Sequence, residues 1–177
     1  MTPYVLDTST LVNFAVVGRS SLLMQALKFR GCWTAGVAWE TRALSDDLPC
    51  GQLRILEEGL GEPYSFDMAD AKGIEDTRRA LGGTKRLGRQ HYGEAETIYG
   101  VRNHQHLCRA TIVIDDISAG HYARAQGLSV VNTPWILKAA FYRQLLVCPE
   151  PFELLQKMRA CGRGVWAPTD HTDICPP

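Results

Sequence analysis

The stretch "ATIVIDD", residues 110–116, constrains the fold more than any other part of the chain. An unbroken apolar run rich in β-branched residues suits a short strand buried on both faces of a parallel sheet. The run ends on two adjacent aspartates, Asp115 and Asp116, and the helix-like "ISAGHYARAQG" follows. Two like charges at the tip of a buried strand either sit in a solvated turn and cap a helix, or hold a cation.

Other short segments repeat the pattern of strand then helix. "PYVLD" at 3–7 reads as a strand, followed by the helical "TSTLVNFAVVGRSSLLMQALKF" with a break at Gly18. "CWTAGVAWETRAL" reads as a short strand entering a helix, and "YSF" at 64–66, "SVV" at 129–131 and "GVWA" at 164–167 as further short strands. "YGEAETIYGVRNH" predicts a helix opening near Gly93. "TPWILKAAFYRQLL" predicts one with Thr133 as N-cap and Pro134 in its first turn, and "PEPFELLQKMRACG" a last helix closed by Gly162. Strands alternating with helices predict a three-layer α/β/α sandwich with a mainly parallel central sheet. Residues 1–168 read as one domain and 169–177 as a C-terminal tail.

Nineteen basic residues balance nineteen acidic ones among 177 residues, so net charge argues for no nucleic-acid partner and only local patches can. No apolar run approaches the roughly 20 residues that span a bilayer. The N-terminus carries no basic segment of the kind that opens a signal peptide, so a cytoplasmic location without membrane partners is expected. Six cysteines occur without a CxxC pair and without a histidine at zinc-finger spacing, which predicts reduced thiols. "DHTDIC" puts ligand-type residues in the tail, where adventitious metal contact is a simpler expectation than a built site. His104 and His106 fall two apart, on different faces of a helix, and read as exposed. The four tryptophans read as core or interface packing.

Ligands of an open parallel sheet collect at the carboxyl ends of its strands. Asp7 ends the first strand, and Asp115 and Asp116 end the clearest one. Glu40 in "GVAWET" and Glu94 in "HYGEAET" lie early in helices that could line the same cleft. Glu96, two residues beyond Glu94, should face away from it into solvent. Taken singly, each acid reads as a helix cap or a partner of the helix dipole. Converging, they repel: at ~4 Å and an effective dielectric of ~20, each like pair costs roughly 4 kcal/mol. Protons or cations must neutralise such a set, and an all-oxygen donor set suits Mg²⁺ or Mn²⁺. Acid clusters holding such ions hydrolyse phosphodiesters.

"YVLDTSTLVNF", "VAWET", "GEAETIYG" and "TIVIDDISAGHYARAQGLSVVNTPWIL", in that order, resemble the successive motifs of PIN-domain ribonucleases. The closing "ELLQKMRACGRGVWA" is similar too, and the subgroup most resembled is that of the toxins of type II toxin–antitoxin pairs. The resemblance implies a PIN-like α/β/α fold and a Mg²⁺- or Mn²⁺-dependent endoribonuclease. Asp7 would be the metal ligand after the first strand with Ser9 as its helper, and Glu40 the acid on the second helix. Glu94 would stand where relatives often carry aspartate. Asp116, one residue further past the apolar run, would be the ligand after the fourth strand, with Asp115 its close competitor. The resemblance also implies an RNA substrate, a small antitoxin protein and a homodimer as partners. "IDD" replaces a Thr-Asn-Asp-like turn, and Asn132 stands where many relatives have glycine.

"TRRALGGTKRLGRQHY" carries Arg78, Arg79, Lys85, Arg86 and Arg89 with no acid. It reads either as a solvated basic loop or as a phosphate-contacting arm that leads RNA to the acids, with His91 and Tyr92 available to stack on a base. Two other functions remain open to the sequence. One is a catalytically silent module of the same fold that binds RNA or a protein. The other is an aspartyl-phosphate phosphatase, against which "DTST" lacks the second aspartate of a DxD motif.

Overall fold

A computed structural model describes residues 3–84 and 90–175. Its centre is a four-stranded, all-parallel sheet built from β1 (Tyr4–Leu6), β2 (Gly31–Cys32), β3 (Thr111–Val113) and β4 (Val130–Val131), in the order β2-β1-β3-β4. Val5 pairs with Cys32 on one side and with Ile112 on the other, and Val113 pairs with Val131. Successive strand residues point to opposite faces. Leu6 and Val113 therefore enter one apolar core, while Val5, Ile112 and Ile114 enter a second. Buried on both sides, these strands need the near-continuous Val/Ile/Leu runs seen in the sequence.

Helices cover both faces, which makes the molecule a three-layer α/β/α sandwich. The Leu6 face carries α1 (Thr8–Val16), α2 (Ser20–Ala26), α4 (Gln52–Leu60), α8 (Thr133–Tyr142) and α9 (Glu150–Ala160). The opposite face carries α6 (Tyr92–Asn103) and α7 (Ile117–Ala125). α3 (Ala35–Ala43) and α5 (Ala71–Ala80) both pack against α6. No described helix is long and apolar enough to cross a membrane.

The chain leaves β1 towards β2 on one side and later returns to β3 on the other. The carboxyl ends of β1 and β3 thus flank the point where the strand order reverses, the place where such sheets open a crevice.

Several expectations are corrected. Tyr64 makes only an isolated bridge to Thr34, and residues 164–167 form no strand. Asn132, not Thr133, caps α8: its side chain accepts from the Trp135 N–H at 3.1 Å, because Thr133 is engaged elsewhere. The segment read as a tail is docked, with Ile174 in the main core. Cys148 and Cys175 form a disulfide across 5.8 Å between Cα atoms, whereas Cys32, Cys50, Cys108 and Cys161 are free. Trp33 is a core residue, but Trp39, Trp135 and Trp166 are substantially exposed.

Candidate active site

Four elements bring four carboxylates to the crevice. Asp7 follows β1 and is the N-cap of α1, where one oxygen, Oδ2, accepts from the backbone N–H of Ser9 at 3.2 Å and from the Ser9 hydroxyl. The Asp7 N–H donates to the Val113 carbonyl at 3.0 Å, which ties the end of β1 to the end of β3. Asp116 is the N-cap of α7, its Oδ1 accepting from the Ala119 N–H at 2.7 Å. Both residues are aspartates because a short acceptor in extended backbone can turn back onto the first N–H groups of the helix.

Glu40 reaches in from α3. The Thr8 hydroxyl donates to its Oε2 at 2.5 Å and the Gly93 N–H to its Oε1 at 3.1 Å. Gly93 permits this approach: a Cβ there would lie 2.8 Å from Glu40 Oε2. Glu94, next in sequence, sits in the first turn of α6. Ser9, Glu94, Asp115 and Asp116 line one cavity of about 220 Å³ together with Asn13, Arg163 and Gly164.

The acids feel one another. Burial first, then the charge of Glu94, push the Asp7 carboxyl up to about 8; the Ser9 hydroxyl opposes the rise and Glu40 adds to it. Burial first pushes Glu94 up to about 6; its own backbone N–H opposes this, while Glu40 and Asp116 raise it further. Asp7 is 1% exposed, and its Oδ1 has no hydrogen-bond partner among the described residues. A buried, unpartnered carboxylate oxygen among like charges is costly unless a proton or cation answers it. Carboxylate oxygens are the donor type that hard divalent cations take.

The adjacent aspartates do different work. Asp115 accepts from the Thr133 N–H at 2.9 Å, the Thr133 hydroxyl at 2.5 Å, Asn13 Nδ2 at 2.9 Å and the Thr10 hydroxyl at 3.2 Å. It fastens the end of β3 to α1 and α8. Asp116 has one oxygen on its cap and its charge against Glu94.

Other expected residues fall elsewhere. Glu96 is not solvated: it is 5% exposed and its Oε2 accepts from the Gly36 N–H at 2.6 Å. Because α3, α5 and the sheet all pack on α6, that helix has no free polar side. Arg78 is buried, so its reading as a phosphate contact is corrected. Its guanidinium is bidentate to Glu75 at 2.7 and 3.0 Å and donates to the carbonyls of Thr84 and Gln90 at 3.2 and 3.4 Å. Arg79 is exposed and paired with Glu75 at 2.9 Å. Lys85, Arg86 and Arg89 lie outside the described residues. His104 is half-buried rather than exposed, 3.2 Å from Asp70 Oδ1 and edge-on to Phe66. Tyr92 lines a second cavity of about 220 Å³ with Trp39, Glu40 and Glu96.

Sequence reasoning missed Thr8, Thr10, Asn13, Thr133 and Arg163. Arg163 Nε donates to Asn13 Oδ1 at 2.9 Å, which sets a cation at the rim of the acidic cavity. Asn13 alone carried a signal, as a lone amide in the apolar run "LVNFAVV".

Compared with known protein families, with curated proteins and with solved structures, the chain matches none.

Proposed function

We propose that this protein is a metal-dependent endoribonuclease of the PIN type, using Mg²⁺ or Mn²⁺ to hydrolyse RNA phosphodiester bonds. One observation supports the reading above the rest: Asp7, Glu40, Glu94 and Asp116 converge from four separate elements at the crevice of a parallel sheet. Within that set, the Asp7 and Glu94 carboxyls are held far above their ordinary values. A fold that keeps such mutual repulsion has a use for positive charge there.

In this reading Asp7, Glu40, Glu94 and Asp116 hold the cation. Ser9 keeps Asp7 Oδ2 turned away, so that Oδ1 faces the site. Thr8 and the Gly93 N–H fix the Glu40 carboxylate before any ligand arrives, and Asp115 acts through structure by bracing β3 against α1 and α8. Arg163, oriented by Asn13, presents its terminal nitrogens to a phosphate oxygen. A bound divalent ion would make an attacking water more acidic and offset charge developing on the phosphate. Arg79 and the basic residues after it would contact the RNA backbone. The resemblance further suggests a cytoplasmic toxin, paired with a small antitoxin that covers the cleft and working as a homodimer.

The test is cleavage of a mixed pool of structured RNAs in EDTA, Mg²⁺ or Mn²⁺, by the wild type and by Asp7→Asn. Metal-dependent cleavage leaving 5′-phosphate ends, lost in the variant, is expected. Folded wild type that binds RNA and cuts nothing under any metal would replace this reading with the silent binding module.

A further inference from the structure

A second cluster of ligand-type side chains lies outside the acidic cavity. His171 and Cys175 are one helical turn apart, with the Cys175 N–H donating to the His171 carbonyl at 2.9 Å, so both side chains leave the same side of the turn. Cys148 faces them from the connection between α8 and α9. One donor atom from each of Cys148, His171 and Cys175 lies within 4.8 Å of the others. Zinc–ligand bonds of roughly 2.0–2.3 Å put neighbouring donors about 3.3–3.8 Å apart, so modest side-chain rotation would close the set on one ion.

We propose that Cys148, His171 and Cys175 form a Cys₂His zinc site when the disulfide between the two cysteines is reduced. The backbone that carries the ligands is already fixed. Asp170 caps the turn, accepting from the Thr172 N–H at 2.8 Å, and Lys138 Nζ donates to the Asp173 carbonyl at 3.3 Å. Ile174 and Cys175 are each 3% exposed. Asp170 Oδ1 also lies 3.7 Å from His171 Nδ1. At that separation the carboxylate is beyond hydrogen-bond reach, and its charge adds to the attraction for a cation. Two thiolates and an imidazole select zinc over the hard ions suited to the acids. Cys148 and His171 are exposed, which leaves the fourth position to water.

The chemistry balances with a thiol reductant. The disulfide takes two electrons and two protons from it, the S–S bond breaks, and the reductant becomes a disulfide. Both thiol protons pass to water as zinc binds. Oxidised, the C-terminal turn is held by a covalent bond; reduced, it is held by the metal.

The test uses the full chain, reduced with a phosphine, freed of excess reductant without oxygen, and titrated with Zn²⁺ against a chromophoric chelator in excess Mg²⁺. One zinc per reduced chain is expected and none for the oxidised chain, with Co²⁺ giving a thiolate charge-transfer band. Cys148→Ser and His171→Gln should lose the site, and Asp7→Asn should leave it unchanged. Alkylation mapping of the wild type needs no variant to fold. Zinc should shield the exposed Cys148 while Cys50, Cys108 and Cys161 stay reactive. Reduced, folded protein that binds no zinc, or zinc that leaves Cys148 as reactive as Cys50, overturns the proposal.

Discussion

Replacing Asp7 by asparagine should make the metal-free protein more stable while removing its response to metal. The Asp7 carboxyl rises from 3.8 to about 8 in the folded state. A folded-state value above the unfolded one means that the group costs nothing below pH 4, where both states are protonated. It costs progressively more as pH rises towards 8. At pH 7 the difference corresponds to about 4 kcal/mol against folding. Asparagine keeps the acceptor that Ser9 needs and carries no charge, but its amide still has to be buried. Recovery of about half, about 2 kcal/mol, is expected, or a rise of roughly 4–8 °C in melting temperature for a chain of this size. The assay is thermal unfolding in EDTA across pH 4 to 8, repeated with saturating Mn²⁺. The gap between variant and wild type should open as pH rises. Mn²⁺ should reverse the order by stabilising the wild type alone, increasingly so at higher pH as bound protons are displaced. A variant less stable than wild type in EDTA at pH 8, or a gap that ignores pH, would refute the electrostatic account of the site.

Three further outcomes follow from the same geometry. Asp115→Ala should cost about 2–4 kcal/mol in denaturant unfolding, since it strands donors on Thr10, Asn13 and Thr133, whereas Asp116→Asn should keep its cap and stability and lose cleavage. Gly93→Ala should lower RNA cleavage by about 10- to 100-fold with the fold retained, because its Cβ displaces the Glu40 carboxylate from the position that Thr8 fixes. Arg78→Ala should lower the denaturant midpoint, and Arg78→Lys should not restore it, since one ammonium nitrogen cannot reach the separate positions that Nε, Nη1 and Nη2 occupy against Glu75 and the two carbonyls.

Much of the scaffold was legible because it is written locally. β3 follows from its β-branched run, and the positions of Asp7 and Asp116 follow from strand ends that open helices. What stayed hidden depends on residues distant in sequence. Arg163 reaches Asn13 across 150 positions, and Cys148 meets Cys175 across 27 with no recognisable spacing. Asp115 looked like a twin of Asp116 until Thr133, on another helix, supplied two donors. Helical periodicity sent Glu96 to solvent, but it does not record that α6 is packed from several directions and that Gly36 leaves an N–H bare. Arg78 read as one of a basic group, although a buried arginine with a carboxylate and two carbonyls around it is part of the frame.

Asp7 and Asp116 each hold a helix by one carboxylate oxygen. Asparagine caps helices as well as aspartate does, and in the genetic code the two amino acids differ by a single base. One transition at either codon therefore leaves a chain that keeps the cap and has lost one of the site's carboxylates. On the proposed reading, a gene with this architecture stands one mutational step from a descendant that still binds RNA and no longer cuts. That descendant would arrive without passing through an unstable intermediate.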